Sequence, residues 1–193
     1  ILLGRHSLED CILSPKNLSF SILPATPELT EAEVMLLSTQ SKEFTLKNVL
    51  NECAINFDYV IIDCPPSLNI LTVNALTAAT GVLIPVQCEF FALQGLSELM
   101  TTINTIKSSS NQELVVKGII RTMFDPRNNL ATDVSAQLMK YFADKLYRTI
   151  IPRNITLAEA PSHGLPVIEY DKNSKGSLSY LSLVGEILKQ EKL

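Results

Sequence analysis

Three short apolar runs rich in β-branched residues punctuate the chain, at Tyr59–Ile62, Val82–Val86 and Leu114–Ile120. Runs without polar alternation suit strands buried on both faces, as in a parallel sheet covered by helices on each side. A fourth run, Leu18–Leu23, alternates with serine and predicts a strand nearer an edge. Helical periodicity fills the intervals, at Pro27–Leu37, Phe44–Ile55, Ile70–Ala79, Leu93–Ile106, Thr132–Leu146 and Ser177–Leu188. The first of these opens after Thr26, an N-cap residue type, with Pro27 at the first helical position. Strand and helix alternating at this spacing predict βαβ units and an α/β fold, a doubly wound and mostly parallel sheet with helices on both faces. No repeat, linker or low-complexity tract interrupts residues 1–193, which read as a single domain.

Composition narrows the class. A hydrophobic content of 46% excludes a disordered chain. No stretch approaches the ~20 uninterrupted apolar residues of a membrane span. The four cysteines, Cys11, Cys53, Cys64 and Cys88, form no CxxC pair and no zinc spacing, and read as reduced thiols of a cytosolic protein. Net charge is −4, but residues 117–153 hold 7 basic and 3 acidic side chains, against 5 and 12 in residues 1–116. Such a local basic face can meet phosphates although the whole is acidic, with an ordinary solvated surface as the competing reading. The chain opens on Ile1 rather than Met, which points to something other than a native translation start.

In doubly wound sheets ligands sit beyond the carboxyl ends of the strands. The first such end, Tyr59-Val60-Ile61-Ile62-Asp63-Cys64-Pro65-Pro66-Ser67, delivers an aspartate from four apolar residues, the Walker B arrangement. A buried strand would fix this carboxylate beside a nucleotide phosphate, where it holds Mg²⁺ directly or through water. Many strands end in Asp, and a helix cap is the bland alternative. The other ends are Ile84–Phe91, Gly118–Asp125 and Thr149–Asn154.

Taken together, these segments resemble the ParA family of DNA-partitioning ATPases over nearly the whole chain. The resemblance rests on Leu23-Pro24-Ala25-Thr26 with Ala32-Glu33-Val34, Asp63-Cys64-Pro65-Pro66-Ser67-Leu68, Asn74-Ala75-Leu76 and Pro85-Val86-Gln87-Cys88-Glu89-Phe90. It continues through Thr122-Met123, Asn129-Leu130, Tyr141-Phe142, Ile151-Pro152-Arg153-Asn154 and Glu159-Ala160-Pro161-Ser162-His163-Gly164. These unusual strings stand in family order and at family spacing.

The resemblance implies a deviant-Walker P-loop ATPase that uses ATP and Mg²⁺. It implies a homodimer formed around two nucleotides, non-specific binding to double-stranded DNA, and hydrolysis stimulated by a ParB-type protein. A cytoplasmic, nucleoid-associated location follows from the same likeness. By the same resemblance Asp63 would take the Walker B role, and Pro65, Pro66, Ser67, Leu68 and Asn69 would form the switch loop near the γ-phosphate. Met123, Pro152, Arg153 and Asn154 fall where the family encloses adenine. Arg127 matches the DNA-contacting arginine and lies inside the basic segment. A second basic residue common in the family is Thr156 here, a departure for which Arg121, Lys140, Lys145 or Arg148 could compensate.

A larger departure is that none of the seven glycines precedes a lysine, so no GxxxxGK[ST] occurs. Its backbone N–H groups and lysine would hold the triphosphate. Residues 1–193 are therefore expected to be a ParA-like domain incomplete at its N-terminus, lacking the first strand and P-loop and inactive alone. The alternatives are a non-hydrolysing or split-gene module for DNA binding and dimerisation, and a MinD-like positioning ATPase. The latter needs a C-terminal amphipathic helix with basic flanks. Leu178, Leu181, Val184 and Leu188 form a stripe there, but Lys189 and Lys192 are matched by Glu186 and Glu191, which predicts a core-docking helix. Cys64 and Cys88 read as buried or switch-loop thiols rather than cluster ligands, and His163 as a loop residue.

Overall fold

The computed structural model describes residues 1–16, 18–65 and 67–191. The chain forms two compact units, one of Ile1–Thr80 with Ile103–Leu114 and one of Gly81–Thr102 with Val115–Leu193.

The first unit is helical. Its elements are α1 (Leu8–Cys11), α2 (Leu29–Leu37), a single 3-10 turn at Lys42–Phe44, α3 (Thr45–Glu52) and α4 (Ile70–Ala78). Asn69 caps α4, its side-chain oxygen accepting from the Thr72 N–H at 3.0 Å. Buried Asn74 then ties α4 to the preceding segment. Its amide donates to the Lys42 and Ile70 carbonyls at 2.8 and 2.9 Å and its oxygen accepts from the Leu46 N–H at 3.0 Å. Every polar atom of this amide is engaged, as burial requires. Asn111 does the same work from the 103–114 segment, donating to the carbonyls of Leu76 and Ala79.

Two strand expectations fail in this unit. Leu18–Leu23 contributes one isolated antiparallel bridge, Leu13 with Ile22, and no strand. Tyr59–Ile62 is irregular, with Ile61 91% exposed. An apolar run becomes a buried strand only where neighbouring strands and covering helices receive it, and no strand is formed in this unit among the described residues. The start of α2 also differs. Thr26 does not cap a backbone N–H; its hydroxyl donates to the Glu28 carboxylate, and the helix begins at Leu29.

The second unit holds the sheet. Strands β1 (Gly81–Gln87), β2 (Val115–Phe124) and β3 (Leu146–Pro152) are parallel in the order β1-β2-β3. Between and after them run α5 (Ala92–Ser109, whose last turns belong to the first unit), α6 (Asn129–Tyr141), α7 (Ile155–Glu159), α8 (Val167–Tyr170) and α9 (Lys175–Glu191). This is the expected α/β arrangement of a parallel sheet with flanking helices. Central strand β2 is buried from Gly118 to Arg121, whereas Lys117, within its apolar run, is exposed. Ile120, Tyr147, Ile151 and Leu183 form the core between sheet and α9, with Leu157 and Ile187 packed against them. Gly118 is required there, because a Cβ would collide with the Tyr147 ring.

Helix α9 docks by a face other than the expected one. Gly176, Ser177 and Leu183 are buried, whereas Leu178, Leu181, Val184 and Leu188 are exposed. The helix carries two apolar stripes, and β3 takes the one that also brings Glu186 to its backbone.

Candidate functional site

The carboxyl ends of the three strands converge on a hollow in the second unit. It is lined by Gln87, Cys88 and Glu89 after β1, Met123 and Asp125 at the end of β2, Asn128 and Ala131 at the start of α6, and Arg153 after β3. Its volume is about 140 Å³, below the ~300 Å³ lower end for whole small-molecule sites. Met123 and Ala131 supply apolar surface, and the remaining side chains supply a polar rim.

Local geometry fixes these positions. Met123 has φ +49°, one of two non-glycine residues in the left-handed region among those described. Such a conformation costs ~1–3 kcal/mol and persists only where surroundings enforce it. The chain is re-anchored immediately, the Arg153 N–H donating to the Phe124 carbonyl at 3.1 Å. Asn128 caps α6 through its side-chain oxygen, which accepts from the N–H groups of Leu130 and Ala131.

Of the residues singled out for adenine, Met123 and Arg153 meet in this hollow. Pro152 ends β3, paired with Phe124. Asn154 is engaged as the N-cap of α7, accepting from the Leu157 N–H at 3.3 Å. Gln87 and Glu89 stand in the string that follows β1, and Asn128 follows Arg127; their place after a strand end was the available signal. Asp63 is exposed and lies in the first unit, as do Pro65, Ser67, Leu68 and Asn69. Of these, Asn69 caps α4, and the Ser67 carbonyl accepts from the Thr72 hydroxyl at 2.8 Å. Pro66 lies outside the described residues.

Arg127 stands on the loop between β2 and α6, its side chain 88% exposed. Its guanidinium grips Asp125 with two hydrogen bonds, Nε to Oδ1 at 2.9 Å and Nη2 to Oδ2 at 2.6 Å. Hydrogen bonds from the Arg127 side chain and backbone hold the Asp125 carboxyl down at about 2. Lys140 and Arg148 are exposed, but Arg121 is not available to an external partner. It is 5% exposed and donates to Ser135 Oγ and to the carbonyls of Tyr147 and Arg148. Basicity on β2 therefore belongs to the interior at that position. Burial also pushes the Cys88 thiol up, partly offset by the Arg121 charge. His163, at the end of a 3-10 turn over Ala160–His163, stacks on Tyr170 of α8 at 4.8 Å rather than standing in a loop. No helix among the described residues is long and apolar enough to cross a membrane.

Residues 1–116 match a family model described as an AAA domain (AAA_31). The sporulation initiation inhibitor protein Soj of Bacillus subtilis is 46% identical over 187 residues, covering 97% of this chain and 74% of its own length. The chromosome partitioning protein ParA of Myxococcus xanthus is 48% identical over 191 residues, covering 98% of this chain and 67% of its own. Among solved structures, cobyrinic acid a,c-diamide synthase from Mycobacterium smegmatis superposes with a TM-score of 0.82 at 31% identity, over 99% of this chain and 71% of that one. The same enzyme is also known with an ATP analogue and magnesium bound. Pyrococcus furiosus MinD, at 20% identity and a TM-score of 0.76, shares the fold over 98% of this chain and 73% of its own. Identity of this degree along almost the entire chain, on a sheet whose strand ends gather the same motifs into one hollow, makes the protein a member of the ParA/Soj family of chromosome-partitioning ATPases.

Proposed function

We propose that the chain acts in DNA partitioning as an ATP-dependent, DNA-binding ATPase, and that the hollow at the strand ends takes the adenine ring of ATP. The observation that carries this reading is the convergence of Met123 and Arg153 there, on residues that family resemblance assigned to the base. The donor set fits a purine. Met123 and Ala131 offer apolar contact to the ring faces, and Gln87, Asn128 and Arg153 offer polar groups to its edge. Asp63 is the carboxylate that would hold Mg²⁺, and the Pro65–Asn69 loop would sense the γ-phosphate. Magnesium supplies charge neutralisation at the phosphates.

Arg127 is the proposed DNA contact. Its exposed loop and the local basic excess support it, and Asp125 restrains it until a phosphate competes. Exposed ion pairs of this kind are worth only ~0–1 kcal/mol, so a phosphate can displace the carboxylate. Each subunit offers few cations, and ATP-dependent dimerisation would double them. A ParB-type partner would act on the hydrolysis step.

The test is a salt titration of duplex binding by the full-length protein with ATP present. Arg127→Ala should weaken binding to every sequence alike and flatten the log–log slope by about 0.9 per lost phosphate contact. Asp125→Asn, which releases the guanidinium, should strengthen binding. Lys172→Ala, remote in sequence and exposed, should do neither. If Arg127→Ala binds like wild type at every salt concentration, the DNA face lies elsewhere, and Lys140, Arg148 and Arg153 become its candidates.

A further inference from the structure

Strand β3 is irregular along its pairing with β2. Ile119 pairs with Leu146 and Arg121 with Ile150, so an advance of two residues on β2 spans four on β3. A bulge of this kind takes backbone groups out of the ladder and re-aims the strand beyond it. Those groups then need other partners.

Two side chains supply them. Arg121 Nη2 donates to the carbonyls of Tyr147 and Arg148 at 3.0 and 3.3 Å. Glu186 of α9 accepts from the N–H groups of Arg148 and Thr149 at 2.8 and 3.0 Å. The same guanidinium reaches a third element, its Nη1 donating to Ser135 Oγ at 3.0 Å. Ser135 lies one helical turn beyond Ala131 on the same face of α6. Arg121 thus ties together β2, α6 and β3. These are the elements that deliver Met123, Ala131 with Asn128, and Arg153 to the hollow.

A core position in a strand ordinarily takes an apolar residue, since a buried cation is costly unless fully bonded. Here the buried Arg121 Nε has no hydrogen-bond partner among the described residues, so the position tolerates an imperfectly satisfied charge. Stability alone does not account for such a residue, because well-packed apolar side chains often replace buried charges without loss. Bulge and clamp share the strand that ends one residue before Arg153, which gives the charge a positioning use.

We infer that Arg121, with Glu186 completing the bulge, is a positioning residue that sets the spacing of the base-binding hollow. The inference rests on the adenine reading of that hollow. Arg121 does not line the hollow; its role is to hold Met123, Ala131 and Arg153 at the separation a planar ring requires.

The experiment compares ATP with inorganic tripolyphosphate, which carries the phosphates without the base. Calorimetry on the full-length protein, well below its melting temperature, gives the affinity ratio of the two ligands. Wild type should prefer ATP. Arg121→Met, similar in length but uncharged, should cut that preference by about tenfold, a small displacement sufficing for such a loss. Tripolyphosphate affinity should be unchanged. Arg121→Lys should restore part of the preference, and Glu186→Gln, which keeps one acceptor oxygen, should fall between. A folded Arg121→Met that retains the full preference overturns the positioning role and leaves the adenine reading intact. If Arg121→Met does not fold, Arg121→Lys and Glu186→Gln decide by the same ratio, and wild-type preference in both overturns the role. A wild type that binds both ligands equally overturns the adenine reading, and this inference with it.

Discussion

Met123 holds a left-handed backbone at the end of β2, and the penalty is specific to residues with a Cβ. Met123→Gly should therefore keep or raise the melting temperature while weakening ATP binding, because the side chain at the lip of the hollow is gone. Met123→Val should lower stability by ~1–2 kcal/mol, since a β-branched side chain suits this region worst. Thermal melts with and without ATP separate the two effects, and a large stability loss in the glycine variant would contradict the argument. Asp125 makes a second residue-scale prediction. Its carboxyl lies at about 2, below the ordinary 3.8, because Arg127 donates to the charged form. With a depressed folded value, the pair's contribution is complete above the ordinary value and is lost as pH falls through about 2. A carboxyl chemical-shift titration should find that midpoint in wild type and a return towards 3.8 in Arg127→Ala.

Among the elements, α9 shows how a helix with two apolar stripes is oriented. Leu183 packs with Ile120, Tyr147 and Ile151 and is 5% exposed, while Leu181, two positions earlier, is 51% exposed. Leu183→Ala should cost ~2–5 kcal/mol, as large-to-small changes in a core do. Leu181→Ala should stay within ~0.5 kcal/mol. Equal losses in denaturant titrations would mean that both stripes are buried. Strands β1 and β2 follow their apolar runs, because each pairs with a neighbour in the same unit, whereas β3 begins at Leu146, where the expected helix Thr132–Leu146 was to end.

At the scale of the whole molecule, both units leave large apolar side chains in solvent. In the first these include Tyr59, Val60, Ile61 and Leu37; in the second, Phe90, Phe91 and the α9 stripe. Exposed apolar side chains favour association where they cluster. The 193-residue chain should accordingly self-associate in light scattering at micromolar concentration, and Tyr59–Ile62 should exchange its amide hydrogens rapidly. A monodisperse monomer with slow exchange across Tyr59–Ile62 would contradict both expectations.

Periodicity and motif spacing by themselves determined the α/β class, two of the three paired strands and the long helices, and the motif strings carried the resemblance to the ParA family; β3 was legible only as the strand end Thr149–Asn154, because Arg148 and Thr149 interrupt its apolar residues. These properties are local or additive, and a linear string records them. Tertiary structure alone decided where Arg121 goes, which face of α9 is buried, and that Tyr59–Ile62 is no strand in this chain. Each depends on a partner elsewhere. An arginine in the 117–153 segment counts as basic whether it meets DNA or the carbonyls of a bulged strand. A leucine stripe looks the same whether a sheet covers it or water does. An apolar run becomes a strand only if another strand bonds to it. Adjacency of Met123, Asn128 and Arg153 was legible in part, through the rule that strand ends make sites. The clamp beneath them was not, because it is built from a register shift that only the paired strands reveal.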